Sequence, residues 1–210
     1  MATLLLVRHG ETHWNREKIF RGRADIPLGE RGKKQAERVG DALKDRPLEA
    51  IYTSPLLRSV KTAEAIAAHH DVPLSKVDEI TDIDYGEWQS KALKQVMADY
   101  PDLCALWESA PHKSRIPGGE SLDEVKARAL PAILNLADNH SGEIAVVSHR
   151  VVLKVLILSL LGLGVEGFWN LKLDTCGISI FAITKERSIL TRFNDVSHLA
   201  GLRDEAAADF

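Results

Sequence analysis

The sequence predicts an α/β fold organised on a mostly parallel central sheet, and three observations carry that prediction. Apolar runs of strand length alternate with stretches of helical periodicity along the chain. Two of those runs, LLLV at 4–7 and EIAVVS at 143–148, have no regularly polar face, as expected of strands covered by helices on both sides. The last two runs, 177–184 and 188–194, are joined by a short charged turn and read as a hairpin.

The first strand begins near Thr3 and stops on Arg8, His9 and Gly10, where glycine permits a turn. Residues 19–32, rich in charge, Gly and Pro, read as a loop. From Glu30 the apolar positions Ala36, Val39, Gly40 and Leu43 follow helical spacing and predict a surface helix packed on one side. A short strand is expected at 49–53. Ser54-Pro55 then reads as an N-cap followed by the first helical residue, with Arg58 in the first turn and Val60, Ala63 and Ala67 inward. Residues 77–90 alternate imperfectly and are expected to form a strand or extended loop. Short helices at 92–99 and 103–109, broken at Pro101 and followed by a Pro-Gly-Gly loop, suggest a cap inserted at about 84–120.

Ser121 and Glu124 form a capping box that starts a helix to about Asn139, with Pro131 expected to kink it. The apolar stretch 151–165 is too short for a bilayer and carries Lys154 and Ser159, so a core helix is expected. Gly162, Gly164 and Gly167 match a dinucleotide-binding spacing but follow a helix instead of a strand, and are read as a helix end and loop. The tail at 203–210 is expected to be mobile.

The 210 residues, 45% hydrophobic and 27% charged, fit one globular domain spanning 1–210. A net charge of −3 gives no support for nucleic acid or an anionic membrane as partner. Cys104 and Cys176 make neither a metal motif nor a disulfide framework, and no metal-ligand spacing is present. With no signal-like N-terminus, a cytoplasmic location is expected. The exposed hairpin edge suggests a homodimer.

Three strand-to-helix transitions carry unusual polar residues: Arg8-His9, Ser54 to Arg58, and Ser148-His149. Ligands of open α/β sheets bind beyond the carboxyl ends of the strands, so these groups are placed to converge on one point. Two arginines, two histidines and two helix N-termini suit a phosphate or similar anion.

At these residues the chain resembles a known family. Arg8-His9-Gly10-Glu11-Thr12 with Trp14-Asn15 is similar to the RHG signature of the histidine phosphatase superfamily, which includes the cofactor-dependent phosphoglycerate mutases. Further landmarks follow in family order: Gly22 with Asp25-Ile26-Pro27-Leu28 and Gly32, Ser54 to Arg58, Thr62-Ala63, Asp82 to Trp88, Gly118 to Ser121, and Ser148-His149. The resemblance implies a phosphoglycerate mutase-like three-layer sandwich with a small helical cap. It also implies a metal-independent phosphomonoesterase, needing no cofactor, that hydrolyses a small phosphorylated metabolite through a phosphohistidine. His9 is then the nucleophile, and Arg8, Arg58 and His149 stabilise transferred charge, with Asn15 and Gly22 as further phosphate contacts. The family places a glutamate where this chain has Asp82, so Asp82 is the expected proton donor and Asp84 and Glu87 are its rivals. Arg150 stands where the family more often has glycine; it either adds positive charge to the pocket or points away, and no role is carried over to it.

Each residue also has a plainer reading. His149 alone suits a structural histidine, and Arg58 alone a solvated charge; their joint occurrence at three strand ends favours function. Trp14 and Trp88 read as wall or core. Lys91, Lys94, His112, Lys113 and Arg115 in the cap read as a solvated face, with a second substrate anion as the sharper alternative. At the level of function the alternatives are a mutase, which returns the phosphoryl group to substrate, and a non-catalytic phospholigand sensor.

Overall fold

The computed structural model describes residues 2–202. Strand β1 (Ala2–Arg8) is followed by the one-turn helix α1 (His13–Arg16), α2 (Glu30–Leu43), β2 (Leu48–Thr53), α3 (Leu57–Ala67) and β3 (Leu74–Lys76). Helices α4 (Leu93–Asp99) and α5 (Pro101–Ser109) form the excursion. After them come α6 (Leu122–Asp138), β4 (Glu143–Ser148), α7 (Arg150–Leu160), β5 (Ile178–Ile183) and β6 (Ser188–Asp195).

The strands form one sheet in the order β3-β2-β4-β1-β5-β6. β1, β2, β3 and β4 run parallel, and β5 is antiparallel to both neighbours. The unbroken apolar runs follow from burial on two faces. Leu4 and Leu6 of β1 pack with Val125, Ala129 and Ile133 of α6 and with α7. Leu5 and Val7 turn the other way, onto Val39 and Leu43 of α2 and Ala63 and Ile66 of α3. Each such side chain contributes about 1.5–3 kcal/mol when fully buried, so a slip of one residue in β1 is strongly disfavoured. The result is a mixed α/β architecture with helices on both faces of the sheet.

Several elements differ from the sequence-based expectation. Helix α3 starts at Leu57 with Leu56 at its cap position, and Ser54 and Pro55 lie ahead of it. The capping logic fails here because the Ser54 hydroxyl is drawn to His149, described below. β3 at 74–76, with all three residues exposed and no hydrophobic pattern, is not legible in the sequence. Of the two expectations for residues 77–90 the loop is found and not the strand, with single 3₁₀ turns at Asp78–Ile80 and Gly86–Trp88. The two expected short helices are separated at Tyr100, and the second starts earlier than expected because Pro101, with its fixed φ, takes the first helical position of α5. Pro131 lies inside α6 without ending it. The expected mobile tail, 203–210, lies outside the described residues.

The cap is pinned by aromatic packing. Trp88, fully buried, meets Phe20 at 5.0 Å and Trp107 at 6.3 Å between ring centroids. Trp107 in turn packs on Phe168 and Trp169, and its carbonyl accepts from Trp169 Nε1 at 2.8 Å. Two of the cap's cations pair at its surface: Lys91 faces Asp99 at 3.5 Å and Arg115 pairs with Glu124 at 2.8 Å.

Candidate active site

The sheet register brings the three strand ends together. Arg8 of β1 lies opposite Ser148 of β4, and Thr53 of β2 lies opposite Val147. His9 N–H donates to the Ser148 carbonyl at 3.0 Å, and Ser54 N–H to Val147 at 3.0 Å. His9, Ser54 and His149 therefore leave neighbouring strands side by side, and the two imidazole centroids are 5.2 Å apart.

His9 is almost wholly buried. Its Nδ1 is 2.7 Å from the Gly10 carbonyl, an acceptor only, so Nδ1 carries the proton and Nε2 keeps its lone pair. Burial above all, then Arg58, Arg8 and Arg21, push its pKa well below 6.5. The ring is thus neutral near pH 7, with its nucleophilic nitrogen fixed. The turn behind it is held tightly: Gly10 N–H donates to Thr62 Oγ1 at 3.0 Å, and a Cβ on Gly10 would lie 2.5 Å from the Gly32 carbonyl oxygen.

His149 is fully buried, and its pKa is also pushed well below 6.5, first by burial and then by Arg58. Its Nε2 lies 2.7 Å from Ser54 Oγ and 3.4 Å from Ser59 Oγ. Ser54 Oγ receives the Leu56 N–H at 3.4 Å, which leaves its own proton to donate to Nε2. That assignment puts the imidazole proton on Nδ1, which makes no hydrogen bond among the described residues and stands 3.6 Å from Asp82 Oδ2. A neutral ring becomes a directed donor.

Arg58, entirely buried, is more heavily engaged than its sequence position suggests. Its guanidinium donates to the carbonyls of Ala24 and Gly22, both at 2.8 Å, and to Asp82 Oδ2 at 3.0 Å. Burial lowers its pKa, and Asp82 opposes that shift. Asp82 Oδ1 accepts from Ile83 N–H at 3.0 Å, so the carboxylate is oriented at both oxygens. Arg128 clamps the same loop, donating to the Asp82 carbonyl at 3.2 Å and pairing with Glu120 at 2.8 Å. The rival carboxylates face elsewhere. Asp84 accepts from Gly86 N–H at 2.8 Å and lies 3.6 Å from Arg23, while exposed Glu87 accepts from the Tyr100 hydroxyl.

Arg8 is buried and donates to the Leu173 carbonyl. Asn15 Oδ1 accepts from Thr12 N–H at 2.8 Å, which turns its amide nitrogen away from that bond. Gly22 has φ +48° and offers its carbonyl to Arg58; a Cβ there would meet Gln89 at 2.9 Å. Trp14 is half-buried. The structure adds residues that sequence reasoning left unassigned. Arg21 and Arg150 both line a cleft together with Gly22, Asp82 and Tyr85. Arg21 was read only as part of a charged loop, and its position just before Gly22 was the available signal. Among the described residues no group of three or more His, Cys, Asp or Glu could hold a metal ion, and no helix is long and apolar enough to cross a membrane.

The histidine phosphatase superfamily (branch 1) matches residues 4–196. Phosphoserine phosphatase 1 of Hydrogenobacter thermophilus is 35% identical over 207 residues, 98% of this chain and 98% of the relative. Among solved structures, Bacillus stearothermophilus YhfR superposes with a TM-score of 0.91 at 31% identity, covering 95% of this chain and 100% of that one. A phosphoserine phosphatase mutant from Entamoeba histolytica in complex with phosphoserine gives a TM-score of 0.79 at 30% identity, covering 95% and 100%.

Proposed function

We propose that this chain, which belongs to the histidine phosphatase superfamily, hydrolyses a small phosphorylated metabolite through a phosphohistidine on His9. The observation that carries the reading is the neutral, Nδ1-tethered His9 set beside Arg58 and His149 at adjoining strand ends. His9 Nε2 attacks phosphorus, and the N–P bond forms as the ester P–O bond breaks. Arg8, Arg58, the His149 Nδ1 proton and the Asn15 amide receive the transferred charge, and the Gly22 turn shapes that wall.

Asp82 supplies the proton to the departing alkoxide. A phosphate dianion drawn onto Arg58 competes for the guanidinium that now holds Asp82, which frees the carboxyl to turn to the leaving oxygen. In the second half, Asp82 takes a proton from water, the water oxygen bonds to phosphorus, and the N–P bond breaks to return neutral His9. The names of the relatives make phosphoserine the first substrate to try.

Replacing His9 by Ala should abolish phosphate release from p-nitrophenyl phosphate while leaving the melting temperature within a few degrees. Substantial residual turnover would sink the mechanism. Vanadate-sensitive hydrolysis by the parent protein separates an enzyme from a phospholigand sensor. Isomer exchange between 2- and 3-phosphoglycerate, faster than phosphate release, would favour the mutase reading. A cytoplasmic setting and a homodimer belong to the same proposal; β6, at the sheet edge with Ile189 and Phe193 exposed, is the surface such a dimer would use, and light scattering tests it.

A further inference from the structure

Arg21 presents a problem that the phosphoryl chemistry does not solve. Its side chain is 92% buried, being 8% exposed, yet its Nε and Nη1 make no hydrogen bond among the described residues. Burying a guanidinium without acceptors costs several kcal/mol, so a position of this kind is sustained by something outside the chain. Burial first, then Arg8 and Arg58, lower its pKa to about 9, and Asp82 opposes the shift. The carboxylate nearest to hand, Asp82, is already bonded to Arg58.

Arg150 enters the same cleft from the first turn of α7. It is 5% exposed, its guanidinium 5.7 Å from the Trp169 ring centroid, and it shares the lining with Arg21, Tyr85 and Asp82. A stacked guanidinium is held in one orientation, which suits recognition better than a free chain end. Tyr85 is buried between these groups and packs against Phe20 at 5.0 Å. The two arginines come from elements far apart in sequence, the loop after α1 and the start of α7, and they meet beside Asp82, where the leaving group of a bound ester must sit.

We propose that Arg21 and Arg150 are specificity-determining residues that bind a carboxylate on the leaving-group side of the substrate, a few bonds from the phosphoryl ester oxygen. This rests on the phosphatase reading above and goes beyond it by naming what the substrate carries besides phosphate. The planar guanidinium matches a carboxylate geometrically, and two of them lining one cleft with Asp82 place that match on the leaving-group side. It also places the second anion site beside Asp82 and not on the cap, where Lys91 and Arg115 are paired at the surface.

The test uses ester pairs that differ by one carboxylate: phosphoserine against phosphoethanolamine, and 3-phosphoglycerate against glycerol 3-phosphate. The parent protein should show kcat/KM at least about 10-fold higher for the carboxylate member of at least one pair. In Arg21→Gln and in Arg150→Gln the loss on that member should exceed the loss on its partner by about 10-fold or more, with Arg21→Lys retaining part of the preference. An equal loss on both members would assign Arg21 to the transferred phosphoryl group and overturn the proposal, as would an unaltered preference. Calorimetric affinities for the same pairs, measured in a His9→Ala background, give a readout that needs neither turnover nor the variants. Hydrolysis of no phosphate by the parent protein would defeat the phosphatase reading alone; equal affinity for both members of each pair would defeat the carboxylate site alone.

Discussion

Ser54 offers the sharpest probe of how the fold prepares the site. In Ser54→Ala, the buried Nε2 of His149 loses the hydroxyl at 2.7 Å and keeps only Ser59 Oγ at 3.4 Å. A neutral hydrogen bond contributes about 0.5–1.5 kcal/mol, and an unsatisfied buried acceptor costs about 1–3 kcal/mol. That penalty falls on the tautomer with its proton on Nδ1, so the ring drifts toward the form that directs a lone pair at the phosphoryl oxygens. A loss of about 1–2 kcal/mol in transition-state stabilisation corresponds to about 5- to 30-fold in kcat/KM. The assay is steady-state hydrolysis of p-nitrophenyl phosphate, read together with ¹⁵N chemical shifts of the His149 ring, which report the tautomer directly. A structural role alone would lower the melting temperature without changing those shifts. Wild-type kcat/KM with an unchanged tautomer in the Ser54→Ala, Ser59→Ala double variant would refute the reasoning, because no hydroxyl then remains to set the proton.

Asp82→Asn should lower kcat on an alkyl phosphate by about 10²–10⁴-fold, and less on an aryl phosphate whose leaving group needs no proton, whereas Asp84→Asn and Glu87→Gln should leave that ratio unchanged; equal losses on both substrates would remove Asp82 as the acid. Both His9 and His149 have folded pKa values below 6.5, so the unfolded chain binds protons that the native one does not as the pH falls below that value. Stability should therefore be intact above pH 6.5 and decline below it until the native rings titrate, with each histidine adding up to about 1.4 kcal/mol per pH unit. Urea titrations at pH 7 and pH 5.5 should show a smaller difference for His149→Asn than for the parent, and an identical difference would contradict the burial argument. Gly86 has φ +45°, and an added Cβ would lie 2.2 Å from the Pro117 carbonyl oxygen. Gly86→Ala should cost at least about 2 kcal/mol in thermal unfolding, from left-handed strain and overlap together.

The sequence by itself determined the parts that depend on local pattern. Continuous apolar runs specify strands buried on both faces, and a polar residue that ends such a run must sit at a sheet edge. This is why His9 and His149 could be placed before any contact was known, and why the Ser121–Glu124 capping box located α6, where Glu124 N–H reaches Ser121 Oγ at 3.2 Å. Local rules failed where a distant partner outbid a near one. Ser54 reads as a helix cap, but its hydroxyl bonds an imidazole 95 residues away. Exposed β3 exists because it pairs with β2, not because its own residues form a hydrophobic pattern. The character of Arg21 and Arg150 was equally invisible in sequence. Both look like charged residues beside a motif, and only the packing of the loop after α1 against α7 shows that they are buried in one cleft. Patterning specifies which faces are dry, whereas a buried charge acquires its role from neighbours that only the folded chain assembles.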